Sequence, residues 1–352
     1  MVPKTPTVKI AVLDTLVWER LATEKYADNY TRGLSMAAEK LSKNGIAIEY
    51  KKFQYDKKPL AIFEQTKQIR EWNPHFVIGP RFSELFLLLQ DQFDGLLVVS
   101  PLATANEVYR MPKNFYSMSP PNGQSAKALA KVALLYFKGQ TIHPIIEIDC
   151  KYCVDYGQQF VIHGKQFGIS FTNQSKTYLS NNVDTLDISS LLPNKSTKVF
   201  FLPNRSFTSG KLMAKISNQL QTQNLVFLGA DGWGNWDTSY TGKFPTPYPY
   251  QAYRVTPWTF ESDEPWAKQF RHQHSDQYPS QPPSNTTMMT YHTVLAILET
   301  LPKDTIEITA ELILKSFQEK VKSEPNYGRP KTYGVYQLSQ NGEKLHQTID
   351  IE

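Results

Sequence analysis

Residues 76–108, FVIGPRFSELFLLLQDQFDGLLVVSPLATANEV, carry the pattern that decides the fold. FVIG and GLLVVS are short, unbroken apolar runs of strand length, and a helix opens between them at Ser83. The same alternation runs upstream. VKIAVLD at 8–14 reads as a strand, residues 28–42 have helical spacing through Tyr30, Leu34, Ala37 and Leu41, IAIEYKKF reads as a strand, and 60–72 reads as a helix. Downstream, a turn leads into a long helix from Gln124 to Phe137. Strands that alternate with helices in this way form a parallel, doubly wound sheet.

A second series starts at PIIEID (144–149). It continues through a helix containing Gly157 to Phe167, a strand around ISFTNQSKTY, the strand KVFFLP, a helix from Gly210 to Gln221 and the strand LVFLGAD. Two Pro-rich stretches, FYSMSPPNGQ (115–124) and FPTPYPYQAYRVTPW (244–258), have the breaker chemistry of interdomain crossings. Helical patterns near 263–277, from Met288 to Leu301 and at 309–321 follow without a further sheet, and are expected to return to the first lobe. The last stretch, 332–352, reads as two strands around an Asn341-Gly342 turn and is assigned to the second lobe. The expected fold class is α/β, with two doubly wound parallel-sheet lobes: residues 1–120 and 257–327 in lobe 1, and 121–256 and 328–352 in lobe 2.

The bulk properties agree with two lobes. At 352 residues the chain exceeds one ordinary core, and 40% hydrophobic against 20% charged residues describes a chain that buries one. The net charge of +5 arises from 38 basic and 33 acidic residues spread along the whole length, without the like-charge block of a nucleic-acid arm. Apolar runs such as LFLLL and GLLVV end at Gln90 and Ser100, well short of the ~18 residues a membrane helix needs. The start, MVPKTPTVKIAVLD, passes from a polar lead into a strand without the regions of a secretory signal, so the expectation is either a cytosolic chain or an exported one whose signal has been removed.

This order of elements, with three crossings between lobes, resembles the type I periplasmic binding proteins, specifically the leucine/isoleucine/valine-binding family that serves ABC transporters. YADNYTRGLSMAAEKL is similar to the opening of that family's first helix, which would make Tyr26 a ligand-facing tyrosine and Gly33 a close-packing glycine. FVIGPRFSELF and GLLVVSPLATANEV look like the family's paired loops at strand ends. By that resemblance Ser83 and Thr104 bind a ligand carboxylate, with Leu102 contributing backbone. In the second lobe DCKYCVDYGQQF supplies Tyr156 as the matched aromatic, and FLGADGWGNWD places Asp231 where the family's acid meets a ligand ammonium. The chain departs from the family in three places. TLVWERLATEK lacks the Gly-Pro pattern of the first loop, Asp231 is shorter than Glu, and Asn204-Arg205 stands in place of a tyrosine.

Blander readings stand beside these. Ser83 and Thr104 are residue types favoured at helix N-caps, and Asp before Gly commonly shapes a turn. Tyr26, Tyr156, Trp18, Trp233 and Trp236 suit a core as well as a ligand wall, and Trp233 and Trp236 stand close enough to Asp231 in the chain to line a pocket with it. Arg81 would suit a second acidic group on the ligand, although most loop arginines are simply solvated. Cys150 and Cys153 suggest a local disulfide in an oxidising compartment more than half a metal site, because no second ligand pair accompanies them. His272-Gln273-His274 is a weak metal signal, expected to be exposed.

Dinucleotide, phosphate-loop and nucleophile-elbow patterns fail in GADGWGN and SGKLM, so no cofactor, metal or catalytic residue is expected. The resemblance implies a monomeric, non-enzymatic solute-binding protein of the periplasm that closes over an amino-acid-like ligand and presents it to a membrane permease. A sensory module of the same fold is the alternative.

Overall fold

The computed structural model describes residues 5–15, 29–55, 59–173, 175–193, 197–204, 206–221, 224–233, 250–281, 283–303, 305, 307–339 and 342–350. The chain divides into two compact units, residues 1–120 with 263–329 and residues 121–262 with 330–352.

The first unit begins with β1 (Thr7–Thr15), α1 (Asn29–Lys43), β2 (Ala47–Tyr55), α2 (Pro59–Trp72), β3 (Phe76–Ile78), α3 (Ser83–Leu87), β4 (Leu97–Ser100), a 3-10 turn (Asn106–Arg110) and β5 (Phe115–Ser117). The strands form a parallel sheet in the order β2-β1-β3-β4-β5. Every residue of β3 and β4 is buried, as expected of strands covered on both faces, whereas β2 at the edge alternates in exposure. Val77, Phe86, Leu89, Phe93, Val98 and Phe115 lie at the centre of its core.

The second unit contains α4 (Asn122–Phe137), β6 (Thr141–Glu147), α5 (Lys151–Gln166), β7 (Ser170–Phe171), β8 (Lys176–Tyr178), β9 (Val199–Leu202), α6 (Ser206–Leu220), β10 (Leu225–Gly229), a 3-10 turn (Asp231–Trp233) and β11 (Tyr250–Thr256). The chain then supplies α7 (Pro265–Gln277), α8 (Asn285–Leu298) and α9 (Ala310–Ser323) to the first unit, and ends in the second with β12 (Thr332–Ser339) and β13 (Gly342–Asp350). The sheet order is β13-β12-β11-β10-β9-β6-β7 with β8 also on β6. The β12–β13 hairpin and its junction with β11 are antiparallel, and the other pairs are parallel.

One strand departs from the sequence reading. ISFTNQSKTY forms two short strands on β6, pairing with Thr141–Ile142 and with Ile145–Glu147. His143 and Pro144 lie opposite the break. Proline has no N–H for a ladder, and the His143 ring takes the Thr172 hydroxyl at 2.7 Å.

Glycine sets the helix spacing in the first unit. A Cβ on Gly33 in α1 would lie 2.5 Å from the Thr287 carbonyl of α8, so the two helices approach backbone to backbone. Ser284 and Thr309 cap α8 and α9 by accepting the N–H groups of Thr287 and Leu312. No helix among the described residues is long and apolar enough to cross a membrane.

Four histidines give the fold an acid limit. Burial holds His75, His143, His274 and His292 below the ordinary histidine value of 6.5. His75 shows why: its Nδ1 accepts the Lys9 N–H at 2.8 Å, which requires that nitrogen to be unprotonated. With folded values below the unfolded one, the unfolded chain binds more protons as pH falls through about 6.5. Stability is therefore complete above neutrality and declines below that point. Urea unfolding at pH 7.5 and 5.5 should give the lower midpoint at pH 5.5, and equal midpoints would refute the assignment.

Candidate functional site

In the first unit the loops after β3 and β4 are tied into one structure. Gly79 has φ +98, and a Cβ there would meet the Leu13 carbonyl oxygen at 2.2 Å, so only glycine fits. Its N–H donates to Val99 O at 2.8 Å. The Ser100 hydroxyl donates to Pro80 O at 2.7 Å and accepts the N–H groups of Leu102 and Ala103 at 3.3 and 3.0 Å. From the other side, the Ser119 hydroxyl holds Pro101 O at 2.6 Å.

Ser83 is the second tie. Its Oγ is buried and accepts the N–H groups of Thr104 and Ala105 at 3.0 and 3.1 Å. A serine hydroxyl offers two acceptor positions and one donor. Both acceptor positions are occupied by the chain, and the O–H remains to donate. Sequence reasoning had Ser83 as a cap or a ligand group, and the structure shows a clamp between two loops. Phe82, not Ser83, occupies the N-cap of α3. Thr104 is buried, Leu102 is half-buried, and Arg81 lies with its guanidinium 4.5 Å from the centre of the Tyr30 ring. Tyr26, Trp18 and Trp236 lie outside the described residues.

In the second unit the chain turns after β10 and sets Asp231 beside α5. The Tyr152 hydroxyl donates to Asp231 Oδ1, and the Gly232 N–H donates to the Tyr152 oxygen at 2.9 Å. A Cβ on Gly232 would lie 2.8 Å from the Tyr152 ring, so this glycine lets the pair close. Burial pushes the Asp231 carboxyl above the ordinary carboxylate value, while Tyr152, Arg254 and the Gly232 N–H oppose that shift. Burial and the neighbouring acid push the Tyr152 and Tyr156 phenols well up, so both remain neutral donors. Arg254 on β11 is buried with its guanidinium 4.7 Å from the Tyr336 ring centre.

The other two predicted aromatics are core residues. Tyr156 is fully buried, its ring 6.3 Å from Phe201, and its hydroxyl has no partner among the described residues. Trp233 is fully buried in the cluster with Phe200, Leu202 and Phe227. Its indole lies so close to Gly229 that a Cβ there would sit 2.1 Å from the ring. Tyr152 was missed by sequence reasoning. Its only local signal is its place between two cysteines, one helical turn before Tyr156.

Cys150 and Cys153 are joined by a disulfide at the start of α5. Of the histidine pair, His272 is exposed against Asp276 at 3.1 Å, but His274 is buried, because its side of α7 packs inward beside Phe270.

Two parallel sheets interleaved along the chain in this order, the second closed by a C-terminal antiparallel hairpin, give the chain the type I periplasmic binding protein fold. A leucine-binding protein, LivK, of Thermotoga maritima is similar at a TM-score of 0.77 with 15% identity, covering 97% of this chain and 99% of that one. The branched-chain amino acid transporter substrate-binding protein LivJ of Streptococcus pneumoniae, solved with isoleucine, gives 0.76 with 12% identity over 98% and 99%. A solute-binding protein of an ABC transporter from R. palustris, solved with 4-hydroxybenzoate, gives 0.70 with 13% identity over 98% and 97%. No protein-family model and no curated protein matches the sequence.

Proposed function

We propose that this protein is a solute-binding protein that captures a small amino-acid-like carboxylate without chemical turnover and presents it to a membrane ABC transporter outside the cytoplasm. The observation that carries the reading is the Ser83 hydroxyl, whose acceptor positions are filled by Thr104 and Ala105, so that a ligand oxygen would be met by its proton. Thr104 and the Leu102 backbone complete the carboxylate-binding half-site in the first unit, with Arg81 suited to a second acidic group on the ligand. The second unit contributes Asp231 for the ligand ammonium, with Tyr152 oriented on it. Tyr26 belongs to the same proposed site by its sequence position. The protein acts as a monomer.

The solved neighbours bound to isoleucine and to 4-hydroxybenzoate frame the choice of ligand. An amino acid needs Asp231 ionised and available, whereas an aromatic acid offers no ammonium for Asp231 to meet. The test is thermal unfolding of refolded, ligand-stripped protein against amino acids and benzoates, for wild type and Asp231→Ala. A ligand at 100 times its Kd stabilises by about 2.7 kcal/mol. An amino acid that raises the midpoint of wild type and not of Asp231→Ala supports the reading. A benzoate shift that ignores Asp231, or no shift with any amino acid, overturns it.

A further inference from the structure

We propose that Glu147, Cys150 and Cys153 form a latent site for a thiophilic divalent cation of the zinc class, masked by the disulfide and opened by its reduction. The site lies at the C-terminal end of β6 and the first turn of α5, within the second unit.

The donors are already gathered. A carboxylate oxygen of Glu147 and the two sulfurs lie within 4.8 Å of one another, and all three residues are buried. Two cysteines spaced by two residues are the sulfur pair of many zinc sites, and Zn–S near 2.3 Å with Zn–O of about 2.0–2.2 Å suits two thiolates and one carboxylate. A fourth position is left for water or an outside ligand. The sequence shows the sulfur pair without a partner, and folding supplies the third donor.

The surroundings suit metal chemistry better than a merely structural crosslink. Thr208 donates its hydroxyl to Glu147 Oε2 at 2.6 Å and the Tyr178 hydroxyl reaches the same oxygen at 3.4 Å, which fixes the carboxylate as outer partners fix a metal ligand. Asn204 accepts the Glu147 N–H at 2.9 Å and donates to Ile145 O at 3.2 Å, so the strand end is held too. Gly157 lets α5 press onto β6, since a Cβ there would lie 2.7 Å from the Ile146 side chain.

Cys150 is the N-cap of the 16-residue α5, and its Sγ accepts the Cys153 N–H at 3.1 Å. That positive helix end stabilises thiolates. As a crosslink the bond closes a sequence separation of only 3, inside a turn the helix already orders, so it restrains little of the unfolded chain. The chain neighbours of Cys150, namely Ile148, Asp149 and Lys151, are exposed.

The chemistry balances. A dithiol reductant gives two electrons and two protons, breaking the S–S bond to leave two thiols and becoming a disulfide itself. The cation then displaces both thiol protons and binds two thiolates and the Glu147 carboxylate.

The experiment uses the full chain, reduced with a phosphine, freed of it without oxygen, and titrated with Co2+ alone. We expect one Co2+ per chain, with a thiolate-to-metal charge-transfer band and the visible bands of a tetrahedral site, displaced by Zn2+. The oxidised chain and a C150S/C153S variant should show neither. E147Q should keep the thiolate band but bind at least about tenfold more weakly, and E147D should recover part of that loss. Far-UV circular dichroism and melting show that each variant is folded. Reduced wild type that binds no more Co2+ than C150S/C153S, or folded E147Q that binds as tightly as wild type, overturns the site. Neither outcome bears on the amino-acid test, which is read on the oxidised chain.

Discussion

Replacing Trp233 with alanine is expected to lower the unfolding free energy by about 3–5 kcal/mol, the range for removing a fully buried large aromatic. The indole fills the second-unit core with Phe200, Leu202 and Phe227, and it rests on Gly229, where a Cβ would lie 2.1 Å from the ring. Gly229→Ala should therefore also destabilise, by about 1–3 kcal/mol of overpacking. The double variant should cost clearly less than the sum, because once the ring is gone the added methyl has room. Urea unfolding of the four proteins measures all of this. A Trp233→Ala cost under about 1 kcal/mol, or full additivity with Gly229→Ala, would contradict the packing described.

Ser83→Ala removes one oxygen that serves two buried N–H groups. Each orphaned donor costs about 1–3 kcal/mol, so the variant should lose several kcal/mol of stability in the first unit. Ser83→Thr keeps the oxygen and should lose much less. Ligand affinity should separate the two roles of the hydroxyl. If Ser83 only ties the loops, Ser83→Ala binds ligand in proportion to its folded fraction. The proposed function instead requires a loss of affinity in the folded variant at a temperature well below its midpoint. A folded Ser83→Ala that binds as tightly as wild type would confine Ser83 to the clamp.

Much of the fold could be read from local pattern. The strands at 76–78 and 97–100 are buried throughout, as parallel interior strands require, and the two C-terminal strands, β12 and β13, pair antiparallel. The split strand opposite His143 and Pro144 was not legible in residues 169–178 themselves, because the interruption is set by the neighbouring strand. The candidate site was legible only in part for the same reason. Ser83 and Thr104 belong to recognisable loops, but that one hydroxyl would be spent on two N–H groups is a matter of partners 21 and 22 positions away. The Tyr152–Asp231 bond spans 79 residues, and nothing near either residue announces it. Tyr156 shows the opposite case. The resemblance makes it the second lobe's ligand aromatic, but its place on α5 turns the ring into the core.

The contact of α1 with α8 at Gly33 also fixes an order in time. The α1 helix is complete at Lys43, but the helix it must meet ends at Leu298. At synthesis rates of roughly 5–20 residues per second, the first unit waits tens of seconds with that face uncovered. The second unit waits in turn for β12 and β13, which follow every other strand of its sheet in the chain, to cover β11. A chain cut short before Leu298 thus leaves neither unit intact, and any factor that shields nascent protein has both faces to protect until α8 and then β12 have been made.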